Sequence, residues 1–459
     1  MTRMNARGII GLCSASCFVM LFSLNSWGQE AAKTLTLDEC VQVAVTNSTA
    51  VLKGTNAVEL SGAQVLAAHG QFLPDAVLSG SYTYNNGNNL LGFTTLQLVN
   101  LQRSNVLYQV VSSINIYNGY ANRSALQAAL LTKEMSELSL ERAKQQVALD
   151  VTQAYLQVVL DKQVVEFGQQ NFQTSQKREE QLKELVQVGR RPQSDLYQQQ
   201  SQTSLDQQFL TNAINKLNID KILLLQRLRM DPAGVYDVDN VIIDENPLPA
   251  EFADETAMIN RALGQRADLK SSQRMQDAAL WYIKRSRSGY LPRVTASAGA
   301  YGVGILFHGL TVNGTDALPT NQRGLGTQLT DQVYGGLSLN LGWNIFDKYV
   351  TKSNVAAARI NAANARIDFE NTGIQISAEV KQALSNYKTA LAQTETSEKG
   401  LLAANQAFET LTARYAVGSA NFIELSNAQN NLLLAKQNRA QAAISLYLQK
   451  RAIDFYLGN

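Results

Sequence analysis

The stretch Val188-Gly-Arg-Arg-Pro-Gln-Ser-Asp-Leu196 returns in altered form as Val417-Gly-Ser-Ala-Asn-Phe-Ile-Glu-Leu425. Both stretches begin with Val-Gly and place an acidic residue six positions after that glycine. Each lies between long segments that are rich in alanine and glutamine and free of proline. Self-similarity of this kind marks one supersecondary unit that occurs twice. The sequence therefore predicts a chain built from two copies of one architecture.

The repeat extends well beyond these two stretches. Residues 116–200 match residues 345–429 at an offset of 229 without a gap, which is hard to obtain by chance. Upstream, Leu73-Pro74 matches Leu291-Pro292 at an offset of 218, so the second copy carries 11 additional residues. These fall in a glycine-, threonine- and asparagine-rich stretch, 305–332, which predicts a longer loop.

The repeat also divides the chain of 459 residues into two units of about 220 residues each. We expect the first repeat over 29–231, a linker or equatorial segment over 232–253, and the second repeat over 254–459. The net charge of +2 gives no sign of a nucleic-acid or polyanionic partner.

The first 28 residues have the basic, apolar and small-residue sections of a secretory signal, so we expect residues 1–28 to be removed on export. Cys13 and Cys17 lie in this segment, which leaves Cys40 alone in the mature chain and excludes an intramolecular disulfide. An acylated N-terminus is the weaker alternative, because neither signal cysteine follows an aliphatic-small-small triplet. No run of 18 apolar residues follows, so no transmembrane helix is predicted.

Helical and strand patterns alternate in each copy. Thr36-Leu-Asp-Glu39 is a capping-box pattern that predicts a helix from there to about residue 69. Branched, aromatic and small residues with a period near two predict strands at four places, namely 75–86, 107–117, 292–304 and 333–346. In the linker, a further short strand is predicted over 238–243.

Two very long helical hairpins are predicted over 119–230 and 348–456, each turning at its Val-Gly pair. The first helix of each hairpin would cover about 70 residues, or on the order of 100 Å. Apolar residues at spacings of three and four predict one buried stripe per hairpin, at Val147, Val151, Ala154, Tyr155 and Val158 and at Ile376, Val380, Ala383, Leu384 and Tyr387. The acidic and glutamine-rich faces are expected to be solvated.

The strand pattern suits a sheet in lipid. Leu337, Leu339 and Leu341 alternate with small and polar residues, so one face is apolar. Four strands cannot close, and open edges are not tolerated in lipid; two chains would give eight strands and three would give twelve, wide enough for an aqueous lumen. Aromatic girdle residues would be Tyr82, Tyr84, Tyr108, Tyr117, Tyr334 and Trp343. Taken alone, each strand also suits a half-buried sheet in a soluble protein.

The duplicated Leu-Pro, the junctions Ile116-Tyr-Asn-Gly119 and Ile345-Phe-Asp347, and the two Val-Gly tips resemble the TolC-like outer-membrane efflux family over nearly the whole mature chain. The resemblance implies an α+β membrane protein and a homotrimer. Its 12-stranded β-barrel, with four strands per chain, would lie in outer-membrane lipid. A long α-helical barrel with a small mixed equatorial region would continue it as a tunnel into the periplasm.

The same resemblance implies a function and partners. The chain would be a passive duct in a tripartite efflux or type I secretion system, gated at its periplasmic helical tips. A periplasmic adaptor (membrane fusion) protein and an inner-membrane pump, driven by protons or by ATP, would dock on the tips. Substrate and pump class stay open.

The resemblance also assigns residues to a periplasmic gate. Asp195, with Ser194 before it, stands at the family's tip aspartate, and Tyr415 at the tyrosine tied to it by a charge-assisted hydrogen bond. The family's second-tip arginine falls on Ala420, so Arg190 or Arg191 is a candidate replacement. Adaptor contact is expected at Val188, Gly189, Arg190, Arg191, Val417, Gly418, Ser419 and Ala420.

Glu424 and Asn427 correspond to the pore constriction ring, and the second of these positions lacks its acid. Three carboxylates near a threefold axis repel each other and favour cations, so we expect a cation preference weaker than that of two rings. Simpler roles are compatible with these: Asp195 and Glu424 suit a helix N-terminus, and Gly189 and Gly418 suit helix C-caps.

Two other classes of protein fit the sequence less well. No nucleophile, base and oxyanion constellation or phosphate loop is present, and His69 and His308 are the only histidines, so neither an enzyme nor a metal or other cofactor is expected. A secreted coiled-coil structural or adhesive protein would account for the helices and the signal. It would not account for strand pairs at the same place in both copies.

Overall fold

The structure is a computed structural model that describes residues 33–91, 97–234, 236–239, 241, 243, 245–249 and 254–458. The predicted signal, residues 1–28, lies outside the described residues. Within these ranges, no helix has an apolar stretch long enough to cross a lipid bilayer.

Helices and strands follow the same order in both halves of the chain, except that the second half has a short strand and a short helix inserted between its two long strands. The first half contains β1 (Lys33–Leu35), α1 (Leu37–Asn47), α2 (Thr49–Gly70), β2 (Val77–Leu91), β3 (Gln97–Tyr117), α3 (Ala121–Gln187) and α4 (Gln193–Leu228). The second half contains β4 (Tyr236–Val238), α5 (Glu255–Gln265), α6 (Ala267–Arg287), β5 (Arg293–Val312), β6 (Thr315–Asp316), α7 (Leu325–Asp331), β7 (Val333–Gly342), α8 (Val350–Ala416) and α9 (Phe422–Leu457).

The first helix begins at the predicted capping box but ends early. The Thr36 hydroxyl accepts the N–H of Glu39, and the Glu39 carboxylate accepts the N–H of Thr36 at 3.0 Å. The single helix predicted to residue 69 is instead two helices, because Ser48 adopts an extended backbone and caps α2 through the N–H of Val51. Arg266 also has an extended backbone and separates α5 from α6, but it does not cap α6 with its side chain.

The two long hairpins have equal dimensions. Helices α3 and α8 each contain 67 residues, and α4 and α9 each contain 36. The stripe predicted from helical spacing is buried at Val147, Val151, Tyr155, Val158, Ile376, Val380, Ala383, Leu384 and Tyr387, whereas Ala154 is half-buried. These burials confirm the predicted stripe of apolar residues in each hairpin.

A small strand pair fastens the linker to the hairpins. β4 pairs in parallel with β1 over Tyr236–Val238, so the observed strand begins before the predicted 238–243, and the described residues 239, 241 and 243 are not in a strand. Lys162 of α3 and Lys221 of α4 both reach the Asp237 carboxylate, at 3.1 and 2.9 Å. These charge pairs attach the linker to the first hairpin.

The remaining strands form one antiparallel sheet in the order β2-β3-β5-β7, and the two-residue β6 pairs with the end of β5 that extends past β7. β2, β3 and β5 extend beyond the predicted 75–86, 107–117 and 292–304, whereas β7 ends at Gly342, before the predicted 346. The extension of β2 is rich in asparagine and lacks alternation, so its sequence does not indicate a strand. Pairing with β3 makes it one, and the Asn100 amide donates to Asn88 Oδ1 at 2.6 Å.

Where β5 pairs with β7, the register separates an apolar face of the sheet from a polar one. Leu337 and Leu339 lie opposite Ala298 and Ala296, and the same face carries Tyr82, Tyr84 and Tyr108. Tyr334 lies opposite Tyr301 on the other face and stacks on its ring at 5.2 Å. Strand alternation thus places Tyr334 with Ser338 and Asn340, on the face opposite to Leu337 and Leu339, and its girdle role stays a prediction. Trp343 is exposed, and its indole N–H donates to the Tyr290 carbonyl at 3.1 Å.

Two glutamines close the upper edge of β5, which extends past the end of β7. The Gln322 amide donates to the Phe307 carbonyl and accepts its N–H, at 3.0 and 2.7 Å. Gln328 of α7 makes the same pair of bonds with Ile305, both at 2.8 Å. The longer loop predicted in the second copy thus begins later than expected and acts as a substitute strand partner.

Candidate functional site at the hairpin tips

Each hairpin turns at its Val-Gly pair through the same hydrogen-bonded cap. Gly189 and Gly418 have φ angles of +72° and +78°, a left-handed conformation that glycine adopts without steric cost. The N–H of Gly189 donates to the Val186 carbonyl at 3.0 Å, and the N–H of Arg190 donates to the Leu185 carbonyl at 2.8 Å. The second tip repeats both bonds. This Schellman arrangement confirms the two glycines as helix C-caps.

The helix that follows each tip begins differently. Asn421 caps α9, since its Oδ1 accepts the N–H of Glu424 at 2.8 Å and its amide donates to the Glu424 carboxylate at 3.1 Å. Helix α4 follows Pro192 without a side-chain cap, and Asp195 lies in its first turn. Both acids therefore lie where the helix dipole favours negative charge, which is the simpler of the two roles considered for each.

Arg191 connects the two tips. Its Nη2 donates to the backbone carbonyl of Tyr415 at 2.7 Å, and its guanidinium lies 4.4 Å from the centre of the Tyr415 ring. Its Nη1 also lies 3.7 Å from Asp195 Oδ2. Arg190 is exposed, and its side chain makes no ion pair or hydrogen bond to any residue that the structure describes. Of the two candidate arginines, Arg191 thus lies between the hairpins.

The expected direct bond between Tyr415 and Asp195 is not formed. The Tyr415 hydroxyl is buried without a hydrogen-bond partner among the described residues, and its ring packs on Phe422 at 6.5 Å. Burial raises the pKa of the Tyr415 phenol. The physical reason for the difference is the Arg191 guanidinium, which contacts both the ring and the carboxylate. Ser194 is exposed beside Asp195.

A buried polar network lies behind the tips, about 20 Å from Val188 along α3 at 1.5 Å per residue. The Ser175 hydroxyl of α3 donates a short hydrogen bond to the Asp206 carboxylate of α4. From α9, the Gln429 amide donates to Asn171 at 2.7 Å and to Ser175 Oγ at 3.1 Å. The network therefore joins both helices of the first hairpin to the second hairpin.

Charge and burial make this network costly to disrupt. Arg178 Nη1 donates to Gln429 Oε1 at 2.5 Å, and the Gln202 amide donates to Asp206 at 2.9 Å. Asp206 is 4% exposed, and this burial raises the pKa of its carboxyl although its hydrogen bonds act in the opposite direction. Buried polar groups are expensive unless they are hydrogen-bonded, so separating the hairpins here would cost free energy.

The sequence did not predict these network residues, which include Gln199, whose amide donates to the Ser175 carbonyl at 3.2 Å. Gln199 and Gln429 are 0% and 3% exposed, so the expectation that the glutamine-rich faces are solvated is wrong for them. A signal was present: Leu425, Gln429 and Leu432 follow helical spacing, and all three are buried. The glutamine therefore lies on the packed side of α9.

The other predicted tip residues are mostly exposed. Val188 and Val417 are 69% and 80% exposed, and Ser419 is exposed, whereas Ala420 is half-buried. Glu424 and Asn427 are both exposed on α9. Their roles in adaptor contact and in the pore ring stay predictions. In the described ranges, no three His, Cys, Asp or Glu side chains come close enough together to hold a metal ion.

Comparison with known proteins gives consistent matches. A family model described as outer membrane efflux protein matches residues 40–228 and 258–459. Outer membrane protein TolC of Escherichia coli K12 is 22% identical over 407 residues, which cover 85% of this chain and 76% of TolC.

Solved structures share the fold at low sequence identity. The outer membrane protein VceC of Vibrio cholerae is 16% identical with a TM-score of 0.77, covering 92% of this chain and 96% of VceC. The CmeC outer membrane channel of Campylobacter jejuni is 18% identical with a TM-score of 0.77, covering 99% of this chain and 94% of CmeC. Since the family model matches most of the sequence in two segments, one in each half, the chain belongs to the outer membrane efflux protein family.

Proposed function

We propose that this protein is the outer-membrane channel-tunnel of a tripartite efflux or type I secretion system. Three copies would form a passive duct that carries cargo from an inner-membrane pump and a periplasmic adaptor to the outside. The two halves, 29–231 and 254–459, would each contribute two strands to the barrel and one hairpin to the tunnel.

The observation that carries this proposal is a sheet whose outer strands, β2 and β7, each have one edge without a strand partner among the described residues. This sheet is attached to two hairpins whose long helices contain 67 residues. Lipid does not tolerate open strand edges, so this sheet needs further chains to close it. Three copies of four strands give twelve, which leaves room for an aqueous lumen. The leucine face of β7 would then meet lipid, and the face of Ser338 and Asn340 would meet water.

The tip contacts support a gate formed by side chains that hold hairpins together. Arg191 connects the first tip to Tyr415 of the second, and the network around Asp206 and Gln429 connects the same hairpins farther along. Opening the tunnel end would require these bonds to break or to exchange for bonds with an adaptor. No catalytic group is needed for this function.

Membrane fractionation tests the channel against the alternative of a secreted coiled-coil protein. A channel should be extracted from outer membranes only by detergent and should run as a heat-modifiable trimer on gels. A soluble, elongated oligomer in the periplasm or medium would contradict the proposal.

Site-directed crosslinking tests the adaptor. Arg190→Cys and Ser419→Cys should each capture a periplasmic adaptor, whereas Leu66→Cys on α2, which is also exposed but far from the tips, should not. Cys40 gives little background, because it is buried and burial raises the pKa of its thiol to about 11. Equal capture at all three positions would contradict tip docking.

A further inference from the structure

Two arginines line a cleft where the sheet meets helices α6 and α8. The cleft has a volume of about 960 Å³. Arg285 lies in the last turn of α6, and Arg293 is the first residue of β5. Both are exposed, and neither forms an ion pair within the part of the chain that the structure describes.

The rest of the cleft keeps a positive surplus. Among the described residues that line it, Asp347 is the one carboxylate, and it already accepts the N–H of Thr351 at 2.7 Å. Asn344, Asn354 and Asn361 add amide groups that can donate hydrogen bonds. A negatively charged ligand would therefore meet two guanidinium groups and several uncharged donors.

The cleft opens on the polar face of the sheet. Arg293 lies opposite Gly342, on the face of Thr295 and Ser297, whereas the neighbouring pair of Val294 and Leu341 belongs to the leucine face. A ligand would thus reach the arginines from the water-filled side of the proposed barrel and not from lipid.

The fold does not require these arginines. The first copy makes the same strand entry after Leu73-Pro74, and there the corresponding positions are Ala67 and Asp75. The Asp75 carboxylate accepts the N–H and the hydroxyl of Ser113, each at 2.7 Å. Cations near the end of α6 favour the helix dipole, but Arg293 lies on a strand and gains nothing from it.

We propose that Arg285 and Arg293 form a binding site for small organic anions, such as carboxylates, sulfonates or phosphate esters, at the base of the barrel lumen. This inference rests on the proposed channel function. The planar fork of an arginine matches such oxyanions with two parallel hydrogen bonds. A trimer would carry three of these sites around the lumen, so they would favour passage of anionic cargo.

Binding of the trisulfonated dye pyranine to the detergent-solubilised trimer tests the site by fluorescence anisotropy at fixed ionic strength. Arg285→Gln and Arg293→Gln should each weaken binding about tenfold, since each removes a charge-assisted contact. Arg293→Lys, which keeps the charge but loses the fork, should bind with intermediate affinity. Arg359→Gln is the matched control, because Arg359 is exposed on α8 and does not line the cleft.

Several results would overturn the site. Dye binding that is unchanged in the cleft variants, or reduced equally in the Arg359 control, would do so. So would loss of copurified acidic phospholipid in the cleft variants with dye binding intact, since the arginines would then serve a lipid headgroup. Channel conductance in planar bilayers is measured on the same preparations. A trimer that conducts without binding dye contradicts the site alone, whereas the absence of conductance contradicts the channel function.

Discussion

Removal of the Arg191 side chain should open the tunnel tip more than any other single truncation there. Arg191→Ala deletes a charge-assisted bond to the Tyr415 carbonyl, a contact with the Tyr415 ring and a long ion pair with Asp195. The bond to the carbonyl contributes about 1.5 to 3 kcal/mol. The contact with the ring contributes about 0.5 to 1 kcal/mol, and the ion pair contributes about 0.5 kcal/mol. Because one guanidinium makes all three, they do not add fully, and we expect about 2 to 3 kcal/mol per protomer.

That free energy corresponds to roughly a 30- to 150-fold shift of the closed-to-open equilibrium in each protomer. Single-channel recording in planar bilayers should show a higher open probability or conductance for Arg191→Ala than for the unmodified channel. Arg190→Ala is the matched control, because it removes the same charge from the neighbouring position. Arg191→Lys should fall between the two, since an ammonium replaces the planar fork.

Equal conductance of the Arg190 and Arg191 variants would refute the reasoning, and so would an Arg191→Ala channel as closed as the parent. The melting temperature of each trimer distinguishes a local change at the tips, which leaves it unchanged, from a loss of overall stability, which lowers it. An Arg191→Ala trimer that opens but melts like its control supports a local role at the tips.

Three further predictions concern the tips and the network behind them. Glu424→Gln should lower cation selectivity in bilayer recordings and Asn427→Asp should raise it, because each changes the number of carboxylates facing the pore; unchanged reversal potentials would refute the ring. Gly418→Ala should lower the melting temperature, since a φ of +78° costs an alanine about 1 to 2 kcal/mol. Gly400→Ala, in the middle of α8 with open space around it, should raise stability by about 0.5 to 1 kcal/mol, and equal effects of the two alanines would contradict this account. Burial raises the pKa of Asp206, so its carboxyl favours folding most below its unfolded pKa of about 3.9, and this contribution is lost as pH rises through the raised folded value. The melting temperature of Asp206→Asn relative to the parent should therefore increase between pH 4 and pH 8, and a constant difference would be evidence against a raised pKa.

The hairpins and their tips could be predicted because their determinants are local. Each tip glycine ends its helix through bonds within one or two turns, and the apolar stripe repeats at spacings of three and four residues. The long proline-free segments allow each helix to continue without a break. The break at Ser48 was not predicted, because neither glycine nor proline occurs there. The local feature at the break is the Ser48 hydroxyl, which caps α2. The choice of Arg191 over Arg190 depends on how the first tip faces the second, which spacing within one hairpin does not reveal.

The polar network escaped for a different reason. Gln429 contacts Asn171 and Ser175, more than 250 positions earlier in the chain, so its partners depend on how the two hairpins pack. The face of the strand on which Tyr334 lies, by contrast, could have been predicted from the sequence. It lies three positions before Leu337, an odd spacing that places the two side chains on opposite faces of a strand.

The glutamines that close the upper edge of β5 also bear on how a newly exported chain avoids aggregation. An unpaired strand edge is a template on which other chains can add. Gln322 and Gln328 form hydrogen bonds with the backbone N–H and C=O groups of Phe307 and Ile305, so these groups are not available to pair with a strand of another chain. The strand edges that can still pair with another chain are those of β2, which has 15 residues, and β7, which has ten. Before it assembles, a chain thus offers one short and one longer strand edge to its partners. Out-of-register pairing of another strand with Phe307 and Ile305 is blocked at this stage.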